Sequence, residues 1–75
     1  MIQTDKTLDI KGLAELRTET ITGDTLEGMA RGQVLTVVTT DRQARRKLTR
    51  LCEHLGYTLL DFREDKGNLY VQIRK

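Results

Sequence analysis

The side chains best suited to covalent chemistry are few in this sequence. It contains one cysteine, Cys52, and one histidine, His54. A lone cysteine cannot form an internal disulfide, and neither residue lies in a run with metal-ligand spacing. Cys52 falls among leucines spaced as on one helix face, so we expect a buried and unreactive thiol. We expect His54 to sit at the helix end, where a cationic side chain is favourable.

A second chemical feature is a run of basic residues, uninterrupted by an acidic one, between positions 42 and 50. Three of its arginines recur at i, i+4 and i+8, which places them on one helix face. A solvated face is the simplest interpretation, and an acidic protein surface or an RNA backbone is the alternative partner. No aromatic residue interleaves with the run, so base stacking is not expected. The binding candidates here are Arg42, Arg45, Arg46 and Arg50.

Length and composition predict one small domain over residues 1–75, because 75 residues cannot form two cores. The net charge of +2 gives no general case for nucleic-acid binding. Apolar runs are far shorter than the roughly 20 residues that cross a bilayer, and the polar start lacks a signal peptide. We therefore expect a cytoplasmic monomer without membrane attachment, with residues 1–5 disordered.

The second half of the chain has clear periodicity. Residues 34–39 are β-branched and apolar, which predicts a strand. Thr40 and Gln43 then have the spacing of a capping box at the start of a helix. Gly56 is predicted to end this helix in a left-handed conformation, with Tyr57 folding back on Cys52. The apolar stripe of the helix consists of Ala44, Leu48, Leu51, Cys52 and Leu55.

Two alternating segments follow, residues 58–64 and 68–75, and the turn residues at 65–67 predict an antiparallel hairpin. We expect Leu60 and Phe62 to share the core face of the first strand. The core face of the second strand is formed by Leu69, Val71 and Ile73. Apolar residues on one face and polar ones on the other predict a sheet covered on one side.

The first half is less decisive. Residues 7–10 predict a short strand, with Leu8 and Ile10 on one side. Residues 18–30 fit either a helix or a hairpin, since they are rich in β-branched threonines but also have helically spaced apolar residues. Gly23 and Asp24 would form the turn of the hairpin, whereas Gly32 could end the helix.

The segment from residue 8 to residue 15, LDIKGLAE, resembles the opening signature of the TusA/SirA family of sulfur carriers. That signature reads Leu, Asp, any residue, Arg or Lys, Gly, Leu, any residue, Cys, Pro, any residue, Pro. Matching positions in this sequence are Leu8, Asp9, Lys11, Gly12 and Leu13. Met29, Gly32, residues 51–60 and residues 70–75 also resemble the family, so the likeness extends over residues 6–75. It implies an α+β fold, a βαβαββ two-layer sandwich with a mixed four-stranded sheet and two helices on one face. It thereby favours a helix over residues 18–30.

The sequence departs from the family signature at the positions that carry the family's sulfur chemistry. The cysteine position of the signature is Glu15, and the two proline positions are Leu16 and Thr18. In the family a thiol at the start of the first helix accepts and passes on a persulfide sulfur, which a carboxylate cannot do. The resemblance thus implies a protein of sulfur trafficking without a catalytic residue, more a binding or regulatory module than an enzyme. No cofactor or metal is implied.

The resemblance also marks a candidate docking surface for a protein partner of sulfur metabolism. Its residues are Asp9, Lys11, Gly12, Leu13 and Glu15. Asp9 has an equally good structural interpretation, namely fixing the exit of the first strand. Glu15 has one as well, as an acid tolerated at a helix start. Two other functions stay open: a sulfur relay through Cys52, and binding through the basic second helix.

Overall fold

The computed structural model describes residues 3–13 and 15–75, with Glu15 described by its backbone alone. The strands are β1 (Lys6–Asp9), β2 (Val34–Thr39), β3 (Thr58–Asp65) and β4 (Asn68–Arg74). The helices are α1 (Thr18–Glu27) and α2 (Ala44–Leu55), and a 3-10 helix (Glu15–Arg17) leads directly into α1. The order βαβαββ is the one predicted.

The four strands form one mixed sheet in the order β1-β2-β4-β3. β1 and β2 are parallel, while β4 pairs antiparallel with both β2 and β3. A parallel pair needs a crossover connection, and α1 supplies it. The α+β sandwich predicted from the sequence is confirmed.

The core lies between the helices and one sheet face. It is built from fully buried side chains of α1, α2, β2 and β4, among them Leu26, Leu35, Val37, Leu48, Val71 and Ile73. The predicted stripe of α2 faces this core, with Ala44, Leu48 and Cys52 buried and Leu51 half-buried. Leu55 ends the stripe and is exposed.

The start of α2 differs from the predicted capping box. Thr40 is exposed, and the helix begins at Ala44, beyond the proposed box. Asp41 holds the turn before the helix instead, because its Oδ1 accepts a hydrogen bond of 2.9 Å from the Gln43 N–H. At the other end the prediction is confirmed: Gly56 has φ +77°, and the Tyr57 N–H donates to the Cys52 carbonyl at 2.9 Å.

The ambiguous segment is a helix, as the resemblance implied, but α1 ends at Glu27, before the predicted Ala30. Side chains from elsewhere bond the backbone beyond its end and make a further turn unnecessary. Lys75 Nζ donates to the carbonyls of Glu27 and Met29, and the Ala30 N–H donates to the Gln33 side chain. Gly23 lies inside the helix, where it packs near Leu51 of α2.

The hairpin has the predicted turn but a different register in β3. A bulge between Leu59 and Asp61 makes Leu59 and Phe62 the residues that pack against the core, so the prediction for Leu60 was wrong. Lys66 and Gly67 both have positive φ, 51° and 84°. These values are typical of the tight two-residue turns that join twisted strands.

The first strand begins earlier than predicted, at Lys6, and Ile10 is buried just beyond its end. Of the segment predicted to be disordered, residues 1 and 2 lie outside the described residues, while Thr4 and Asp5 have hydrogen bonds to the chain around them. The Asp5 N–H donates to the Val34 carbonyl at 2.8 Å, and Asp5 Oδ2 accepts from the Val34 N–H at 2.8 Å.

Candidate functional site

The candidate site begins where β1 and β2 end. Because parallel strands finish at the same edge of a sheet, the segments that follow Asp9 and Thr39 are neighbours. The first of these segments, residues 9–16, is called the motif loop here. It turns at Gly12, whose φ of +81° favours glycine, and it leads into the 3-10 helix at Glu15.

Asp9 and Lys11 organise the motif loop locally. Asp9 Oδ1 accepts a hydrogen bond of 3.1 Å from the Lys11 N–H, and Lys11 Nζ lies 3.4 Å from Asp9 Oδ2. The hydrogen bond from the Lys11 backbone is the main reason why the pKa of Asp9 is lowered. These contacts support the structural interpretation of Asp9, that it fixes the exit of the first strand.

Two exposed leucines flank Glu15 in the motif loop. Leu16, at the first proline position of the signature, is 93% exposed, and Leu13 is 48% exposed. A single exposed leucine is ordinary on a protein surface. Here two of them lie beside the cysteine position of the signature, at residues 13 and 16.

The start of α2 contains a buried ionic cluster that the sequence analysis missed. Asp41 is 3% exposed. Its Oδ2 accepts hydrogen bonds from Thr18 Oγ1 at 2.8 Å and from Lys47 Nζ at 2.7 Å. Burial alone raises the pKa of Asp41, but hydrogen bonds from Lys47, the Gln43 N–H and Thr18 outweigh it and leave the pKa lowered.

The Asp41 cluster, formed by Thr18, Asp41 and Lys47, joins the starts of the two helices. Thr18 stands at the second proline position of the signature and is the first residue of α1. A hydrogen bond to Asp41 therefore holds this helix start, where the family signature has a proline ring. The sequence does contain a signal for this ion pair. Asp41 follows closely after a buried strand, and Lys47, six positions after Asp41, lies within one turn of Ala44 at the start of the helix.

Cys52 and His54 lie at the positions expected for them. Cys52 faces the core, is 3% exposed and belongs to the central cluster. Burial raises the pKa of its thiol to about 11, so about one thiol in ten thousand is ionised at pH 7. His54 is exposed in the last turn of α2.

The arginines of the second helix separate into two pairs. Arg42 precedes α2 and pairs with Glu64 of β3 at 3.3 Å, while the Arg45 guanidinium lies 5.2 Å from the centre of the Phe62 ring. Arg46 and Arg50 are exposed on the outer side of α2. Of the four predicted arginines, the structure thus gives Arg42 and Arg45 contacts with β3 and leaves Arg46 and Arg50 exposed to solvent.

The described part of the chain gives no sign of a metal site or a membrane span. Within residues 3–13 and 15–75, no three His, Cys, Asp or Glu side chains are grouped so that they would hold a metal ion. None of the helices described in those ranges is both long and apolar enough to cross a membrane.

Comparison with known proteins agrees with the signature in the motif loop. The family model described as "Sulfurtransferase TusA" matches residues 6–75. The sulfur carrier protein TusA of Pseudomonas putida (strain GB-1) is 34% identical over 71 residues, which cover 95% of this chain and 89% of that protein. The chain belongs to the TusA family.

Two further proteins extend the comparison. A putative sulfur carrier protein of Aquifex aeolicus (strain VF5) is 31% identical over 74 residues, which are 99% of this chain but 38% of that longer protein. The crystal structure of a SirA-like protein from Desulfitobacterium hafniense superposes with a TM-score of 0.72 at 24% identity, covering 92% of this chain and 95% of that one. At that identity the second likeness concerns the fold alone.

Proposed function

We propose that this protein is a TusA-family member that binds a protein partner of sulfur trafficking without carrying sulfur itself. The observation that supports this most strongly is the position of its single thiol. Cys52 is buried in the core on α2, whereas the signature's cysteine position at the start of the 3-10 helix is Glu15. A reducing cytoplasm suits a protein whose single cysteine is unpaired.

A sulfur carrier needs an accessible thiolate. The cargo sulfur is bound through a sulfur–sulfur bond, formed when a thiolate attacks the donor and a donor thiol leaves. A carboxylate oxygen at residue 15 cannot form that bond, and a thiol with pKa near 11 in the core supplies almost no thiolate. Loss of carrier activity follows from both conditions together.

Binding is the function that the motif loop retains. Leu13 and Leu16 offer exposed apolar area on either side of residue 15. A carboxylate at a helix start has a favourable position and supplies the negative charge that a thiolate or persulfide would have there. The proposed role is therefore regulatory: the protein occupies a partner's carrier-binding surface without delivering sulfur.

A pull-down with the Glu15→Lys variant tests this role. Purified wild-type and variant proteins are immobilised, and the sulfur-trafficking proteins recovered from the host extract are quantified by mass spectrometry. We expect recovery to fall at least tenfold for Glu15→Lys. Asp24→Lys is the matched control, because it makes the same charge change at an exposed position of α1. Equal recovery by wild type and Glu15→Lys would contradict the proposal.

The alternative of a relay through Cys52 requires α2 to open locally. Its test is the rate at which iodoacetamide alkylates Cys52 in the native protein and in denaturant. We expect the native rate to be lower by a factor of at least one hundred, because burial protects the thiol and raises its pKa. Comparable alkylation rates in the native protein and in denaturant would support a sulfur relay through Cys52.

A further inference from the structure

We propose that the outer side of α2 is a docking surface for an acidic segment of a protein partner, separate from the motif loop. This surface, called the arginine face here, is formed by Arg42, Arg45, Arg46 and Arg50. It is a second interaction surface on the protein. Its existence does not depend on the role proposed for residue 15.

Contacts with β3 fix one border of the arginine face. Arg45 lies over the Phe62 ring at 5.2 Å, and Arg42 lies 3.3 Å from Glu64. Both contacts restrict long side chains that would otherwise move freely in solvent. Because these two arginines are already restrained, binding a partner there costs them less side-chain entropy than it would cost unrestrained arginines.

Arg46 and Arg50 form the accessible part of the face. They are exposed, and neither has an ion-pair partner among the residues that the structure describes. Their i, i+4 spacing on α2 puts their stems on the same side of the helix, about 6 Å apart. Their guanidinium groups can each take a carboxylate in a two-bond arrangement.

The shape of the face suits an elongated acidic segment. The arginines border a shallow, open depression of about 500 Å³, which Thr49 and Glu53 extend toward the end of the helix. Carboxylates spaced four residues apart on a partner helix recur at the same distance as Arg46 and Arg50. The complementary partner is therefore a helix that carries Glu or Asp at that spacing.

Several features favour a protein segment over RNA. Glu53 lies on the face and Glu64 at its border, where they would repel a continuous phosphate backbone. The Phe62 ring beside the face is already covered by Arg45, so it offers no free surface for base stacking. The overall charge of +2 also provides little long-range attraction for a nucleic acid.

Fluorescence anisotropy with a labelled synthetic peptide tests the arginine face. The probe is a 14-residue helical peptide with glutamates four residues apart, and a 14-nucleotide oligouridine is the competing probe. We expect saturable peptide binding at 50 mM salt that weakens at least tenfold in Arg46→Glu/Arg50→Glu. Arg31→Glu/Arg74→Glu is the matched control, because it also changes the net charge from +2 to −2 at exposed positions, and we expect less than a twofold effect.

Circular dichroism establishes that each variant is folded. If the introduced glutamates disturb α2, the double variant Arg46→Gln/Arg50→Gln removes the two positive charges without adding negative ones. We expect the glutamine variant to lose binding as well. Three results would overturn the proposal: no binding of the peptide by wild type, an equal loss in the Arg31/Arg74 control, or tighter binding of oligouridine than of the peptide. Glu15→Lys is expected to bind this peptide as wild type does, so failure at one surface is distinguishable from failure at the other.

Discussion

The starts of the two helices are held in very different ways. At the start of α2, the buried Asp41 carboxylate accepts hydrogen bonds from the backbone of Gln43 and from the side chains of Thr18 and Lys47. At the start of α1, a 3-10 helix leads in, and no comparable buried carboxylate bonds the chain there among the described residues. The one described side-chain hydrogen bond at the start of α1 is donated by Thr18 to Asp41. The start of α1 therefore depends on the start of α2.

This difference shows which contacts hold the structure around the motif loop in place. The motif loop matches the family signature in part, yet its described residues are mostly exposed and the ion pair between Asp9 and Lys11 is a weak surface contact. Asp41 and Lys47 lie outside the family signature, but together with Thr18 they hold the start of α1, into which the motif loop leads. Substitutions at the two starts should therefore differ widely in their effect on stability.

The largest effect is expected for Asp41→Ala. The change removes the buried ion pair with Lys47 and the hydrogen bonds from Thr18 and from the Gln43 backbone at the same time. Breaking a buried ion pair together with these hydrogen bonds costs about 3 kcal/mol in the free energy of unfolding. Urea denaturation followed by circular dichroism measures it, with Asp24→Ala on exposed α1 surface as the control. A loss below 1 kcal/mol for Asp41→Ala would show that the two starts are held equally.

Acid should weaken the start of α2 selectively. The pKa of Asp41 is lower in the folded protein than in the unfolded chain, where it is about 3.9. Its contribution to stability is therefore complete at pH values above about 4 and is lost as the pH falls through the folded value. The free energy of unfolding of Asp41→Asn should vary less between pH 5 and pH 2 than that of wild type. Identical pH dependence in both proteins would exclude this role.

Two threonines of α1 allow a matched test of the contact between the starts. Thr18 and Thr22 are both buried, but only the Thr18 hydroxyl has a partner, since that of Thr22 has none among the described residues. Thr18→Val should lower stability by about 1 kcal/mol, and Thr22→Val should raise it by about 1 kcal/mol. Thermal or urea denaturation of the two variants and of wild type measures both changes in stability. Changes of the same sign would show that the Thr18–Asp41 bond contributes nothing.

The smallest effect is expected for Gly23→Ala within α1. A methyl group there would meet Leu51 side-chain atoms at 3.8 Å, an ordinary contact, and Gly23 is not among the residues with positive φ. The substitution should stabilise the protein by about 0.5–1 kcal/mol, because alanine loses less backbone entropy in a helix than glycine. A loss of stability would show that α1 and α2 pack too closely for the added methyl.

The apolar face and the end of α2 were predictable from the sequence, whereas the pattern in α1 left a helix and a hairpin open. In α2, the spacing of Leu48 and Cys52 indicates the buried face, and Gly56 indicates where the helix ends. In α1, threonines at 18 and 22 face the core, so composition favoured a strand and the family resemblance had to decide. Leu60 was misplaced because a bulge in β3 changes the alternation, and alternation alone cannot show an inserted residue.

The signature predicts a candidate site in the motif loop and aligns its cysteine position with Glu15, and both stay predictions. The contacts that support this region could not be predicted from the sequence. The role of Asp41 depends on contacts with Thr18, 23 positions away, and with Lys47, which only the folded chain brings together. A capping pattern read along the chain assigned the cap to Thr40, although the neighbouring carboxylate is the buried one.

Persulfide loading tests the proposal that this TusA-family protein does not carry sulfur. Native wild-type protein is incubated with inorganic polysulfide at neutral pH, and its intact mass is compared with that of the Glu15→Cys variant treated in the same way. We predict no added mass on wild type and a gain of about 32 Da per sulfur atom on the variant's new thiol. A gain of sulfur on Cys52 of the native wild-type protein, at a rate matching the variant, would contradict the account.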